Sequence, residues 1–172
     1  MFTIHIQMPP VDIHIHADRH LAFQVITAFG ASTQESEAST RVIEREDGRL
    51  LVEFRTPIRG LLGRRKVYRT VEWVTLNEPE SVEFEGVEGP LPYLHDCFTL
   101  EDEMGCTRFR YESEFGAWGW WAGWLLGMLY VRPRLRRFMR EHVEQMKQTI
   151  EERARKSRMF PQIPCPWEEA SR

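Results

Sequence analysis

At 172 residues and a formal net charge of −3, the chain has the size of one domain and buries about two-thirds of the surface its unfolded form exposes. The mild acidity excludes a bulk electrostatic pull toward nucleic acid, since only the Arg59, Arg64, Arg65, Lys66 cluster and the run from Arg132 to Arg140 are locally basic. Three cysteines (Cys97, Cys106, Cys165) are odd in number, match no metal spacing and suit a reducing compartment; with no signal-peptide block at Phe2–Met8, the expected location is the cytoplasm.

Phe2, Ile4, Ile6 and Met8 alternate with polar residues, the pattern of a half-buried strand. The pattern resumes at Val11, Ile13 and Ile15 with its parity switched across Pro9-Pro10, which either one bulged strand or two short strands would explain. Ala17 to Phe29 predicts a helix opened by Asp18 and closed by Gly30, and Ala31 to Thr40 predicts a loop with a short second helix. Six strand-like runs follow as three hairpins. Thr40–Glu46 and Arg49–Thr56 flank Asp47-Gly48, Val67–Leu76 and Val82–Glu88 flank residues 77–81, and Tyr93–Glu101 and Cys106–Phe115 flank residues 102–105.

The stretch from Phe115 to Ala154 predicts one long C-terminal helix. From Leu135 onward, Phe138, Met139, Val143, Met146, Ile150 and Ala154 recur at steps of three and four, giving one buried stripe on an otherwise charged helix. Phe115 to Val131 carries no charge, four tryptophans, and glycines at 119, 123 and 127 that leave a smooth groove for close approach. Pro133 divides the two halves. The prediction is therefore an α+β domain over residues 1–157: a seven-stranded curved antiparallel sheet around a long C-terminal helix, with one or two short helices after the first strand. Residues 158–172 form a Pro-rich tail, either flexible or folded back as a strap anchored by Trp167.

This order of elements, with several short stretches, resembles the START-like superfamily of the helix-grip fold, nearest its polyketide cyclase/dehydrase and lipid-transport branch. The stretches are Val11-Asp-Ile-His-Ile-His-Ala17 running into Phe23-Gln-Val-Ile-Thr27, Gly105-Cys-Thr-Arg-Phe-Arg-Tyr-Glu112, Leu126-Gly127, Val131-Arg-Pro-Arg-Leu-Arg-Arg137 and Gln145-Met-Lys147. The resemblance covers Val11 to Lys156. Ala31–Thr40 lacks the Trp-Pro-type segment that lines the pocket mouth in many relatives, and Phe2–Met8 is an added strand. The resemblance implies a hydrophobic cavity for a lipid, isoprenoid or polyketide-like molecule, and it implies no shared catalytic set.

The candidate chemistry is sparse. His14-x-His16-x-Asp18-x-His20 places two imidazoles on one strand face with a carboxylate and a third imidazole at the turn, a conceivable zinc set. Against it, Arg19 breaks the spacing of the similar His-x-His-x-Asp-His motif of metallo-β-lactamase-like hydrolases, and histidines on a solvent face explain the pattern, so no metal or cofactor is assigned. On the sheet, Asp96 shares a face with Phe98, and Arg69 is expected to share a face with Trp73. If those apolar residues point inward, both charges enter the cavity, where each needs a partner or a ligand group. Tyr111 and Ser113, in step with Phe109, add hydroxyls there. Trp121, Trp124 and Met128 complete the expected ligand-binding set from the helix. The aromatic run has two further readings, core packing and docking on a membrane surface. Binding, and with it transport, of a hydrophobic small molecule is the leading function. The rivals are a cyclase or dehydratase using the same cavity, and a module that docks on a membrane or partner through the Trp-rich helix.

Overall fold

A computed structural model describes residues 3–30, 39–59, 65–119, 121–158, 161, 165 and 167. Among them eight antiparallel strands form one sheet, against the seven expected. The extra strand comes from the first run, which divides at Pro9-Pro10 into β1 (Thr3–Gln7) and β2 (Val11–Ile15). Both pair with β8 (Cys106–Trp118), Gln7 opposite Glu114 and Val11 opposite Tyr111, so the register slips by one residue between them. Two consecutive prolines cannot donate to the ladder, and the inserted residue turns the odd positions inward where the even ones had been. Ile6 and Met8 are buried before the slip and Ile15 after it.

The remaining strands are β3 (Ser39–Glu46), β4 (Arg49–Arg59), β5 (Arg65–Asn77), β6 (Ser81–Glu88) and β7 (Leu94–Glu103), and they pair in sequence order from β3 to β8. Asp47 and Gly48 both adopt positive φ, 43° and 79°, as do Met104 and Gly105 at 55° and 83°. Two such residues in succession give the primed turn whose twist matches the flanking strands.

The first helix, α1 (Arg19–Ile26), is shorter than expected; Asp18 caps it by accepting from the His20 and Leu21 backbone N–H groups. The short helix expected in Ala31–Thr40 falls on residues that are not described, apart from Ser39 and Thr40, which open β3. The long helix begins at Trp121, six residues later than expected. Phe115 to Trp118 instead continue β8, where Phe115 pairs with both Ile6 and Leu94. An uncharged, glycine-punctuated stretch satisfies a buried strand as readily as a helix, so local pattern did not separate them.

From Trp121 the chain runs through α2 (Trp121–Leu126), a π-helical turn (Gly127–Val131) and α3 (Arg132–Lys156). The wide turn lies just ahead of Pro133, which has no N–H to give, and Arg132 N–H reaches back to the Gly127 carbonyl. Gly127 is buried against the sheet: a Cβ there would lie 2.8 Å from Ile6 Cδ1 and 3.2 Å from Ala117 Cβ. Further along, Met139, Val143, Ile150 and Ala154 form the buried stripe that the spacing predicts.

In the tail, Cys165 is fully buried and forms a disulfide with Cys106 at the start of β8, and the Trp167 ring stacks on His14 at 4.3 Å. The pairing removes the cysteine-based reason for expecting a reducing compartment. No helix among the described residues is long and apolar enough to cross a membrane. The bridge joins cysteines 59 residues apart, and Cys165→Ser is expected to lower unfolding stability by roughly 2–4 kcal/mol, the typical contribution of a disulfide. Denaturant titration of the two proteins without reductant measures it.

Candidate functional site

Alternation along the strands puts one set of side chains on the sheet's inner face, and a cavity of about 680 Å³ lies between that face, α1 and α3. Its walls interleave aromatic and aliphatic side chains with polar ones. Phe54, Phe84 and Phe98 line it from the sheet, with Phe84 and Phe98 4.9 Å apart and Phe98 edge-on to Tyr111 at 4.7 Å. Val25 and Ile26 line it from α1, and Phe138, Met146 and Ile150 from α3.

About half of the lining residues are polar, Arg55, Glu72, Asp96 and Glu141 among them. Tyr111 on β8 donates from its hydroxyl to Asp96 Oδ2 on β7 at 3.1 Å, and Thr70 donates to Glu72 Oε1 on β5 at 2.8 Å. Ser113 is the cross-strand partner of Asp96; its hydroxyl and Asp96 Oδ1 are buried without a hydrogen bond of normal geometry. Burial raises the Asp96 carboxyl to about 6, against a smaller opposing effect of the Ser113 and Tyr111 hydroxyls. Burial also raises Glu72, to about 7, with the Thr70 hydrogen bond opposing and the charge of Asp96 adding to the rise. The Tyr111 phenol is pushed well above its ordinary value, by burial first and then by Asp96. His142 on α3 is pushed down by burial, toward the neutral imidazole. The cavity therefore combines two carboxyl groups that exchange protons near neutral pH with a neutral phenol and imidazole, a set able to donate hydrogen bonds or move a proton.

The structure redistributes the expected site residues. Asp96, Phe98 and Tyr111 line the cavity; Phe109 and Ser113 are buried on the same face of β8. Arg69 and Trp73 do not enter it. They lie on the outer face of β5, where Arg69 pairs with Glu53 at 2.7 Å and with Glu88, and Arg49 covers the Trp73 ring. The inward set is Thr70, Glu72 and Val74, because Val52 and Phe54 of β4 stand opposite Glu72 and Thr70. Val71 is buried on the outer side, which is what made the opposite parity look right. Trp121 and Trp124 are exposed, and Met128 lines a separate surface groove. Glu72 and His142 were missed. Glu72 was legible only through the β4 register, and His142 only as the residue one helical turn beyond Phe138.

The histidine-rich segment does not converge. His14 pairs with Glu103 at 3.1 Å, the His16 backbone N–H donates to Glu151, and Asp18 caps α1. Among the described residues, the one cluster of three potential metal ligands is His16 with Cys106 and Cys165, all within 4.8 Å, and its two sulfurs are bonded to each other.

Stability should report the buried acids. Between the ordinary value of 4.5 and about 7, the folded protein keeps a proton on Glu72 that the unfolded chain releases, so its contribution is present at low pH and lost as pH rises through about 7. Glu72→Gln is expected to be more stable than the parent above that pH, by up to roughly 3 kcal/mol, with the advantage vanishing below pH 4.5; unfolding titrations across that range measure it.

No protein-family model matches the chain, and no curated protein matches it significantly. Solved structures do. A START superfamily protein from Mycobacterium smegmatis superimposes with a TM-score of 0.62 at 13% identity, over 88% of this chain and 99% of that one. TTHA0849 from Thermus thermophilus gives 0.65 at 19% identity, again over 88% and 99%. The Zhui aromatase/cyclase from a Streptomyces species gives 0.53 at 12% identity, over 66% and 68%. With an antiparallel sheet curved around one long C-terminal helix and a cavity between them, the chain has the START-like helix-grip fold.

Proposed function

We propose that this domain binds a hydrophobic small molecule, of the lipid, isoprenoid or polyketide kind, in the cavity between sheet and helix, and carries it. The observation behind this reading is the cavity itself: about 680 Å³, within the range of small-molecule sites, with aromatic walls and a few buried polar groups that fix orientation. Apolar burial supplies the affinity. Asp96, Tyr111 and Glu72 recognise a hydroxyl or carbonyl on the ligand, a neutral carboxyl group being able both to donate and to accept.

A second reading rests on the same groups. Two carboxyl groups titrating at about 6 and about 7 beside a buried phenol suit the proton transfers of a cyclase or dehydratase, and a neighbour of this fold is an aromatase/cyclase. Asp96 would then move the proton and Tyr111 hold the oxygen on which charge develops.

Native mass spectrometry of the purified protein, followed by organic extraction, is expected to recover one apolar molecule per chain. Asp96→Asn is expected to weaken its retention about tenfold, or about 1.4 kcal/mol. An empty protein that gains no thermal stability from a panel of lipids and aromatic polyketides would overturn the carrier reading. Turnover of the extracted ligand, lost in Asp96→Asn, would favour the enzyme.

A further inference from the structure

The most unusual surface lies outside the cavity, on the exposed side chains of the segment from Trp121 to Arg140. Apolar side chains here face solvent: Leu129 is 70% exposed, Trp121 67% and Leu126 58%, with Trp124, Leu125 and Tyr130 also exposed. A single exposed leucine means nothing, but six large apolar residues exposed within ten positions concentrate apolar surface that water does not favour. The segment itself is uncharged from Phe115 to Val131, and then five arginines fall between 132 and 140.

The arginines continue the patch rather than facing away from it. A surface groove of about 690 Å³ is lined by Met128 and Leu129 at one end and by Arg132, Arg136 and Arg140 along α3. Arg134 lies over the Tyr130 ring at 3.5 Å, so cation and aromatic also alternate at the boundary. Glu141, which lines this groove, lines the ligand cavity as well. Groove and cavity thus adjoin along one helix.

We propose that Trp121–Arg140 docks on the surface of a bilayer containing anionic lipid. Tryptophan, tyrosine and leucine enter the headgroup and upper acyl region, and the arginines hold lipid phosphates in the adjacent groove. Charge complementarity selects this occupant: an apolar protein partner would leave the arginine groove unmatched, and an acidic one would leave the tryptophans in water. Docking places the Glu141 side of the cavity at the membrane, yet the proposal holds whether or not the cavity carries a lipid.

The test is co-flotation of the full chain with phosphatidylcholine vesicles, with and without about one-third phosphatidylglycerol. Anionic vesicles are expected to retain the protein at least about tenfold better, and raised salt should reverse the gain. Leu129→Glu and the pair Arg136→Glu/Arg140→Glu change exposed side chains and are each expected to abolish retention, with unchanged thermal unfolding and unchanged cavity ligand by native mass spectrometry. Three outcomes would overturn the proposal: no retention on either vesicle, retention indifferent to these substitutions, or light scattering that shows a dimer broken by Leu129→Glu.

Discussion

Everything in this fold follows from how α3 meets the sheet. One stripe of the helix, Met139, Val143, Ile150 and Ala154, is buried almost completely. The adjacent stripe, Phe138, His142, Met146 and Thr149, is held over the concave face without filling it. At one end Gly127 lets the helical segment approach Ile6 and Ala117 more closely than any side chain would allow. At the other, Glu151 accepts the His16 backbone N–H at 3.0 Å. A helix tied to a curved sheet at both ends encloses space between its ties, and that space is the cavity.

The polar groups inside make sense on those terms. Burying a carboxyl group is costly unless it is neutralised or paired, and among the described residues neither Glu72 nor Asp96 has an arginine or lysine partner. Their proton affinity rises instead, and each accepts one hydroxyl hydrogen bond. Arg69 of β5, which would have neutralised them, is held on the outer face against Glu53 and Glu88. The cavity therefore holds two carboxyl groups whose neutral forms are favoured by burial, Glu72 raised to about 7 and Asp96 to about 6.

The long helix also joins two surfaces of different chemistry. Its cavity side mixes Phe138, Met146 and Ile150 with Glu141, His142, Gln145 and Thr149, while the turns leading into it are apolar and exposed and its own first turns are rich in arginine. Pro133 and the π turn before it lie at the change from one to the other. In the tail, Cys165 is bonded to Cys106 of β8 and the Trp167 ring stacks on His14 of β2.

Local pattern alone determined much of this. Alternation in the strands, Asp47-Gly48 in a positive-φ turn, Asp18 as a cap and the α3 stripe are set by residues within a few positions of one another, and they fixed the order of elements and the helix-grip arrangement. Asp96 and Tyr111 were legible for the same reason, since the apolar residues alternating with them belong to one face only. Tertiary structure decided what depends on distant partners. In β5 both parities carry apolar residues, and pairing with β4 selected Glu72 over Arg69. Pairing with β1 and β7 drew Phe115–Trp118 into the sheet, and folding brought together Cys106 and Cys165, 59 residues apart in sequence. An aromatic-rich uncharged stretch has the same local preferences in a core, a cavity wall or an exposed patch; only the surface left uncovered by every other element distinguishes them.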